Sequence, residues 1–185
     1  YGSVDNGTNW IDITNKVSGT DITWNGATLS GSSTILLEVR DLAGNAGSRE
    51  SQSYVLDTTG PSFTVGSVDI SADTGSDATD FNTKTASQTI TATLSGNLGA
   101  HDILYGSVDN GTNWIDITNK VSGTDITWDG ATLSGSSNIT FKVGDLAGNT
   151  ETSNTGTTAY VLDTGSPSVT VGSIDISADT GSSAT

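Results

Sequence analysis

The chain has no cysteine and no methionine, only two prolines and one histidine, and six basic residues against 21 acidic ones. The absence of cysteine excludes disulfides and thiol chemistry. Small domains often need a cross-link to be stable, so bound metal is the natural replacement for disulfides. The formal charge of −15 argues against nucleic acid and anionic lipid as partners, because phosphate would be repelled. No apolar run is long enough to span a bilayer, so we expect no direct membrane contact.

The acidic residues are of one kind, since 18 of the 21 are Asp. Asp is short, favours turns and is a usual ligand in oxygen-rich loops that bind hard cations. The composition therefore favours Ca²⁺ as a cofactor over a merely acidic surface.

Two long matches reveal a tandem repeat. Residues 1–33 and 105–137 are the same except that Asn25 stands where the second copy has Asp129. Residues 57–79 match 163–185 at an offset of 106. We therefore expect part of one repeat in 1–56, a complete repeat in 57–162 and the start of another in 163–185. A unit of this size is a whole domain rather than a solenoid turn, and we expect the chain to be interior, mature sequence.

The complete repeat alternates apolar and polar residues in short runs spaced like the strands of an all-β sandwich or barrel, and we expect the sandwich. Residues Gly66-Ser67 break one alternation and predict a bulge. Asn110-Gly111 predicts a two-residue hairpin turn, because both residues tolerate positive φ. Seven strands, A to G, are predicted: Pro61–Ile70, Ser87–Ser95, Leu104–Val108, Trp114–Thr118, Asp125–Leu133, Ile139–Val143 and Thr157–Leu162.

Antiparallel connectivity sorts the loops between two poles of the sandwich. The AB loop, Ser71–Thr83, is predicted at the C-terminal pole, where Asp73, Asp77 and Asp80 should approach Asp163. Asp57 should approach Asp145 at the N-terminal pole. Like charges packed into one joint favour a shared cation, and Ca²⁺ accepts 6–8 oxygens in flexible geometry. We include the equivalents in the adjoining repeats, Asp41 and Asp179, among the predicted metal ligands. The alternative is that these residues only form turns on a solvated surface.

Trp114 and Trp128 are predicted to fill the core between the sheets. The alternative is a carbohydrate-binding surface, which would require exposed rings. We expect no enzymatic activity. Asp73-Thr74-Gly75 imitates an aspartic-protease signature but lies in a polar loop, and a catalytic triad would have to rest on His101 alone.

Four strings carry a family resemblance: Val-Leu-Asp57-Thr-Thr-Gly-Pro, Asp-Ile-Ser-Ala-Asp73-Thr-Gly, Gly-Ser-Val-Asp109-Asn-Gly-Thr-Asn-Trp114 and Asp145-Leu-Ala-Gly-Asn149. In that order they resemble the bacterial Ig-like extender repeats of giant calcium-dependent RTX adhesins. The resemblance covers the whole chain. Gly60 and the segment Thr164-Gly165-Ser166 depart from the commoner Thr-Thr-Ala-Pro linker.

The resemblance implies tandem Ig-like Greek-key sandwiches with Ca²⁺ at their junctions. It further implies export to the bacterial cell surface by a type I system, and an extracellular stalk that holds a separate binding domain. The partners would be neighbouring repeats of the same chain, while the ligand of the tip lies outside this sequence. Two alternatives remain open: a carbohydrate- or ligand-binding module, and an extracellular filament subunit that lends a strand to its neighbour.

Overall fold

A computed structural model describes residues 1–151 and 155–174 as almost entirely β-structure. Short 3-10 helices occur at Thr14–Lys16 and Thr118–Lys120. Residues 1–56 hold five strands: β1 (Gly2–Ser3), β2 (Val17–Ser18), β3 (Asp21–Ile22), β4 (Ser33–Arg40) and β5 (Ala46–Tyr54). The described residues of the complete repeat hold nine: β6 (Val65–Ile70), β7 (Asn82–Thr83), β8 (Ser87–Leu94), β9 (Ile103–Ser107), β10 (Ile115–Asp116), β11 (Val121–Ser122), β12 (Asp125–Thr132), β13 (Ser137–Gly144) and β14 (Thr155–Leu162).

The strands of the complete repeat form two sheets. One has the order β11-β12-β8-β6 and the other the order β10-β9-β13-β14-β7. Neighbours such as β8 and β12, or β9 and β13, are not consecutive in the chain, so connections cross between the sheets as in an Ig-like Greek key. The prediction of an all-β sandwich is confirmed.

Trp128 joins the two sheets at the centre of the core. Its ring meets Phe141 of the opposite sheet edge to face, with centroids 6.4 Å apart and planes at 71°. Ile90, Leu104 and Val143 around them are completely buried. These residues follow the period-2 alternation of β8, β9 and β13, which places every second side chain on the inner face.

The strands of the complete repeat differ from the prediction in two details. Strand D, predicted over Trp114–Thr118, is split between the sheets: β10 lies in one, β11 in the other, and a 3-10 turn carries the chain across. Thr118 holds this turn, since its Oγ1 donates to Asp116 Oδ1 and accepts from the backbone N–H of Leu104 at 3.0 Å. The predicted AB loop also contains a strand, β7, which pairs in parallel with β14.

The predicted bulge is confirmed, and a hairpin joins β9 and β10 as predicted, but its loop spans residues 108–114 instead of two residues. The pairing of β6 with β8 shifts register between Gly66 and Asp69, where Ser67 has a φ of 51°. Asn110 and Gly111 both have positive φ, 59° and 81°, as the turn between β9 and β10 requires.

Residues 1–56 form a three-stranded sheet, β1-β4-β5, and a separate β2-β3 hairpin. They contain no counterpart of β6 or β8. Ile22 is consequently 48% exposed, whereas its equivalent in the complete repeat, Ile126, is 1% exposed.

Candidate functional site

Two of the predicted ligands in the AB loop are engaged in closing turns. Asp77 Oδ1 accepts from the backbone N–H of Thr79 at 3.0 Å. Asp80 accepts from the backbone and side-chain nitrogens of Asn82, both at 2.9 Å. The bonds from Asn82, the side chain first, hold the pKa of Asp80 below its ordinary value. Both carboxylates are exposed and keep free lone pairs.

Asp73 is different because one of its oxygens is buried and unsatisfied. Its Oδ2 accepts from the backbone N–H of Phe81 at 2.9 Å. Its Oδ1 has no hydrogen-bond partner among residues 1–151 and 155–174. A buried acceptor left unpaired costs about 1–3 kcal/mol, and more when it is charged. This unpaired carboxylate oxygen could therefore bind a cation or accept a hydrogen bond from a water molecule.

The AB loop contacts the segment that leaves the complete repeat. The backbone N–H of Asp163 donates to the carbonyl of Thr83 at 2.9 Å, directly after the β14–β7 pairing. Asp163 Oδ1 accepts from the N–H of Gly165 at 2.8 Å. The loop and Asp163 thus lie at one pole, as the connectivity predicted, although their contact is between backbones rather than carboxylates.

The opposite pole brings Asp57 to the turn that contains Asp145. Asn149 connects them, because its Nδ2 donates to Asp145 Oδ2 at 2.9 Å and to the carbonyl oxygen of Asp57 at 3.1 Å. The Asp57 carboxylate meanwhile caps the N–H of Thr59 at 3.0 Å. A Cβ on Gly60 would lie 2.9 Å from the carbonyl oxygen of Thr150. Glycine therefore permits this close approach of the linker to the turn.

Asp41 and Asp179 are the remaining predicted ligands. Asp41 accepts from the backbone and side-chain nitrogens of Asn45, both at 2.8 Å. Asp179 lies outside the described residues. No group of three or more His, Asp or Glu side chains capable of holding a metal occurs within 1–151 and 155–174. An ion at either pole would therefore combine few carboxylates with carbonyl oxygens and water.

A recurring Asp–Asn lock was not predicted from the sequence. In each case Asp accepts from both the backbone and the side-chain nitrogen of an Asn four residues later. The pairs are Asp5–Asn9, Asp41–Asn45, Asp109–Asn113 and Asp145–Asn149. The Asp-x-x-x-Asn spacing was the available signal. Such bonds to the ionised carboxylate favour it and lower its pKa.

We predict that the Asp109 lock makes stability sensitive to acid. The N–H of Asn113, followed by the Ser107 hydroxyl, lowers the pKa of Asp109 from 3.8 to about 2. A depressed pKa stabilises the fold above the ordinary value, and this contribution is lost as pH falls towards about 2. Asp109→Asn should therefore melt below the parent at neutral pH, and the gap should close between pH 3.8 and about 2.

Thermal melts monitored by circular dichroism across this pH range provide the measurement. Asp125→Asn is the control, because Asp125 is exposed and accepts no hydrogen bond through its side chain within the described ranges. Its gap from the parent should stay near zero. A gap for Asp109→Asn that does not change with pH would contradict the prediction.

The two tryptophans have separate positions, so the prediction that both fill the core is wrong for Trp114. Trp128 is buried, but Trp114 is half-buried on the outer face of its sheet. The ammonium of Lys142 lies 4.3 Å from a ring centroid of Trp114 and 5.2 Å from that of Tyr105. Trp114 lies directly before β10, whereas Trp128 lies in β12 of the other sheet, so the 3-10 turn between them ends any common alternation.

The equivalent outer face of residues 1–56 uses arginine instead of lysine. The guanidinium groups of Arg40 and Arg49 lie 5.1 and 5.2 Å from ring centroids of Trp10. Both also pair with the buried carboxylate of Glu38. Burial raises the pKa of Glu38, but the hydrogen bonds from Arg49 and Arg40 outweigh it and the pKa is lowered. The outer tryptophan of each segment, Trp10 or Trp114, is thus covered by cations of the same chain.

No protein-family model matches the chain, and no curated protein matches it. Within the described ranges, no helix is long and apolar enough to cross a membrane.

Proposed function

We propose that the chain is a segment of a structural stalk, an extender of a bacterial surface adhesin. In this proposal, Ca²⁺ bound at the junctions stiffens successive sandwiches and projects a distal binding domain from the cell surface. The chain acts mechanically, and its partners are the neighbouring repeats.

The observation that carries the proposal is the position of the two linkers on the complete repeat. The incoming linker, at Asp57, contacts the turn that precedes β14. The outgoing linker begins at Asp163, directly after the last residue of β14. β14 has eight residues at about 3.3 Å each, so the two ends of this strand lie roughly 26 Å apart. Successive units joined in this way would extend in one direction, which suits a rod.

The chemistry of the two poles supports calcium as the stiffening ion. At the C-terminal pole, the unpaired Oδ1 of Asp73 offers a ligand, and the carboxylates of Asp77, Asp80 or Asp163 would have to move towards the ion to join it, because no three of them are grouped in the described residues. At the N-terminal pole, Asp57 and Asp145 would serve. Ca²⁺ tolerates irregular sets of carboxylate, carbonyl and water oxygens, whereas Mg²⁺ demands a stricter octahedron. Without an ion, like charges on adjoining modules repel each other.

We expect calcium to raise the melting temperature of the chain and to increase its greatest dimension in solution. A site that binds only the folded state stabilises it by about 1.4 kcal/mol at ten times its dissociation constant. Differential scanning calorimetry and small-angle X-ray scattering, with calcium and with chelator, measure the two quantities. Identical values in both conditions would overturn the proposal.

The double variant Asp73→Asn with Asp163→Asn tests the choice of ligands. It should weaken the response to calcium while leaving the strand content unchanged. Asp21→Asn with Asp125→Asn is the charge-matched control, since both residues are exposed, neither is a predicted ligand, and neither carboxylate accepts a hydrogen bond within the described ranges. A full calcium response in the first double variant would show that other residues hold the ion.

The alternative of a carbohydrate-binding module retains one supporting observation. Trp114 and Tyr105 present a half-buried aromatic pair on an outer face, although Lys142 covers both rings. Oligosaccharides that quench or shift the tryptophan fluorescence of the chain, with the response lost in Trp114→Ala, would favour this alternative over the stalk.

A further inference from the structure

The chain contains three Asn-Gly dipeptides, at Asn6, Asn25 and Asn110. This dipeptide is chemically labile because glycine has no Cβ to hinder its own amide nitrogen. That nitrogen can attack the side-chain carbonyl carbon of the preceding Asn. The reaction requires a flexible backbone and a glycine nitrogen that is free to leave its hydrogen bond. The three sites differ in these two properties.

Asn110-Gly111 is protected by its hairpin. The N–H of Gly111 donates to Ser107 Oγ at 2.9 Å, which occupies the attacking nitrogen. The N–H of Asn110 donates to the carbonyl of Asn138 at 3.1 Å, and the Asn110 side-chain oxygen accepts from Asn138 Nδ2 at 3.0 Å. Both the nucleophile and the target amide are therefore held.

Asn6-Gly7 is protected in nearly the same way. The N–H of Gly7 donates to Ser3 Oγ at 2.9 Å. The N–H of Asn6 donates to the carbonyl of Thr34 at 3.0 Å, which fixes the turn against β4. Attack at either hairpin would first require these bonds to open.

At Asn25-Gly26 the attacking nitrogen is not held, and the turn is fixed only by the bond from the N–H of Asn25 to the carbonyl of Thr23, two residues away, at 3.2 Å. Both residues are exposed and lie outside every strand. Within the described part of the chain, the N–H of Gly26 donates no hydrogen bond, and no heavy atom lies within 4 Å of the place its Cβ would occupy. The equivalent residues of the complete repeat, Asp129 and Gly130, lie at a register shift inside β12, between Trp128 and Ala131, which both pair with β8.

We propose that Asn25 is a site of spontaneous deamidation in the folded protein. The Gly26 nitrogen bonds to the Asn25 side-chain carbonyl carbon and loses its proton, the bond to the side-chain nitrogen breaks, and ammonia leaves. Solvent water then opens the resulting succinimide at either carbonyl, which leaves Asp or isoaspartate at position 25. No oxidant or reductant is involved.

The aspartate product converts position 25 into the residue that the complete repeat already carries. There, Asp129 pairs with Lys120. Lys16 is the residue equivalent to Lys120, at the same offset of 104, so modified Asn25 can form the same kind of ion pair. Deamidation would thus remove the one difference between residues 1–33 and 105–137 at the level of side-chain chemistry.

The test is prolonged incubation of the full chain at mildly alkaline pH, followed by peptide mapping with mass spectrometry. Each event adds about one dalton to the peptide concerned. We expect Asn25 to react roughly tenfold faster than Asn6 or Asn110, because the protected sites react only through local opening. In guanidinium chloride the three rates should converge, which controls for the effect of flanking sequence.

Two variants sharpen the result. Gly26→Ala should suppress the reaction at Asn25 without changing Asn6 or Asn110, and Ser107→Ala should accelerate Asn110 by freeing the N–H of Gly111. Equal rates at all three sites in the folded chain, or a slower rate at Asn25, would overturn the proposal. The proposal would also be overturned if the three rates differed as much in denaturant as they do in the native protein.

Discussion

Replacing Trp128 by Ala is expected to lower the free energy of unfolding of the complete repeat by about 3–5 kcal/mol. The ring is buried between the sheets and meets Phe141 edge to face, so its removal leaves a cavity that both sheets line. The surrounding β-structure can collapse only partly, because its backbone is held by pairing on both sides. Guanidinium unfolding followed by circular dichroism is the appropriate measurement, since the substitution removes a fluorophore.

Trp114→Ala is the matched control for this prediction. The same side chain is removed, but from a half-buried position where its main contacts are Lys142 and the outer face of the sheet. We expect the free energy of unfolding to fall by about 1 kcal/mol, which is the scale of an exposed cation–π contact with modest apolar burial. Equal losses for the two variants would mean that the assignment of core and surface tryptophans is incorrect.

Gly106→Ala is expected to lower the free energy of unfolding by about 1–3 kcal/mol, the usual range for overpacking a core. Gly106 lies in β9 directly beneath the Trp128 ring. The Cβ of Gly106→Ala would stand 2.6 Å from Cζ3 of Trp128 and 3.0 Å from Cδ1 of Ile117. The ring cannot yield without disturbing Phe141, so either the ring or the strand must shift.

Gly66→Ala provides the control, since its added Cβ would be 3.9 Å from the nearest heavy atom, Thr93 Oγ1. Its effect should stay within about 0.5 kcal/mol. Combining Gly106→Ala with Trp128→Leu should cost less than the sum of the single changes, because the smaller side chain leaves room for the methyl group. Strict additivity of the two would contradict a direct steric contact. Unfolding in guanidinium chloride measures all four variants.

Much of the complete sandwich follows from local rules. Alternation of apolar residues predicted β6, β8 and β13, the dipeptide Asn110-Gly111 predicted its hairpin, and Gly66-Ser67 predicted the bulge. Strand D was misjudged because Thr118 bonds to Asp116 and to the backbone of Leu104, and this turn moves the chain from one sheet to the other. The partner at residue 104 is distant in sequence and leaves no local pattern.

The candidate site was predictable only to the level of its poles. Connectivity alone placed the AB loop near Asp163 and placed Asp57 near Asp145. It could not distinguish a carboxylate that closes a turn, such as Asp77, from one with an unpaired oxygen, such as Asp73. The two roles use the same residue type, and the difference lies in which donors the folded loop brings within reach.

The two nearly identical segments, 1–33 and 105–137, separate what the sequence determines from what the tertiary structure decides. Features that recur in both are local: the Asn-Gly turn with positive φ, the Asp lock on an Asn four residues later, and the 3-10 turn. They recur because their hydrogen bonds are made within a few residues.

Burial and strand length do not recur. Asp125 begins an eight-residue strand, whereas its equivalent, Asp21, begins a strand of two residues. Leu133 is 2% exposed, and its equivalent, Leu29, is 36% exposed. The cause is β8, which supplies the backbone partners of β12 and one side of the core, and which residues 1–56 do not contain. The sequence of a strand specifies which side chains would face inward, but only a neighbouring sheet can remove them from water.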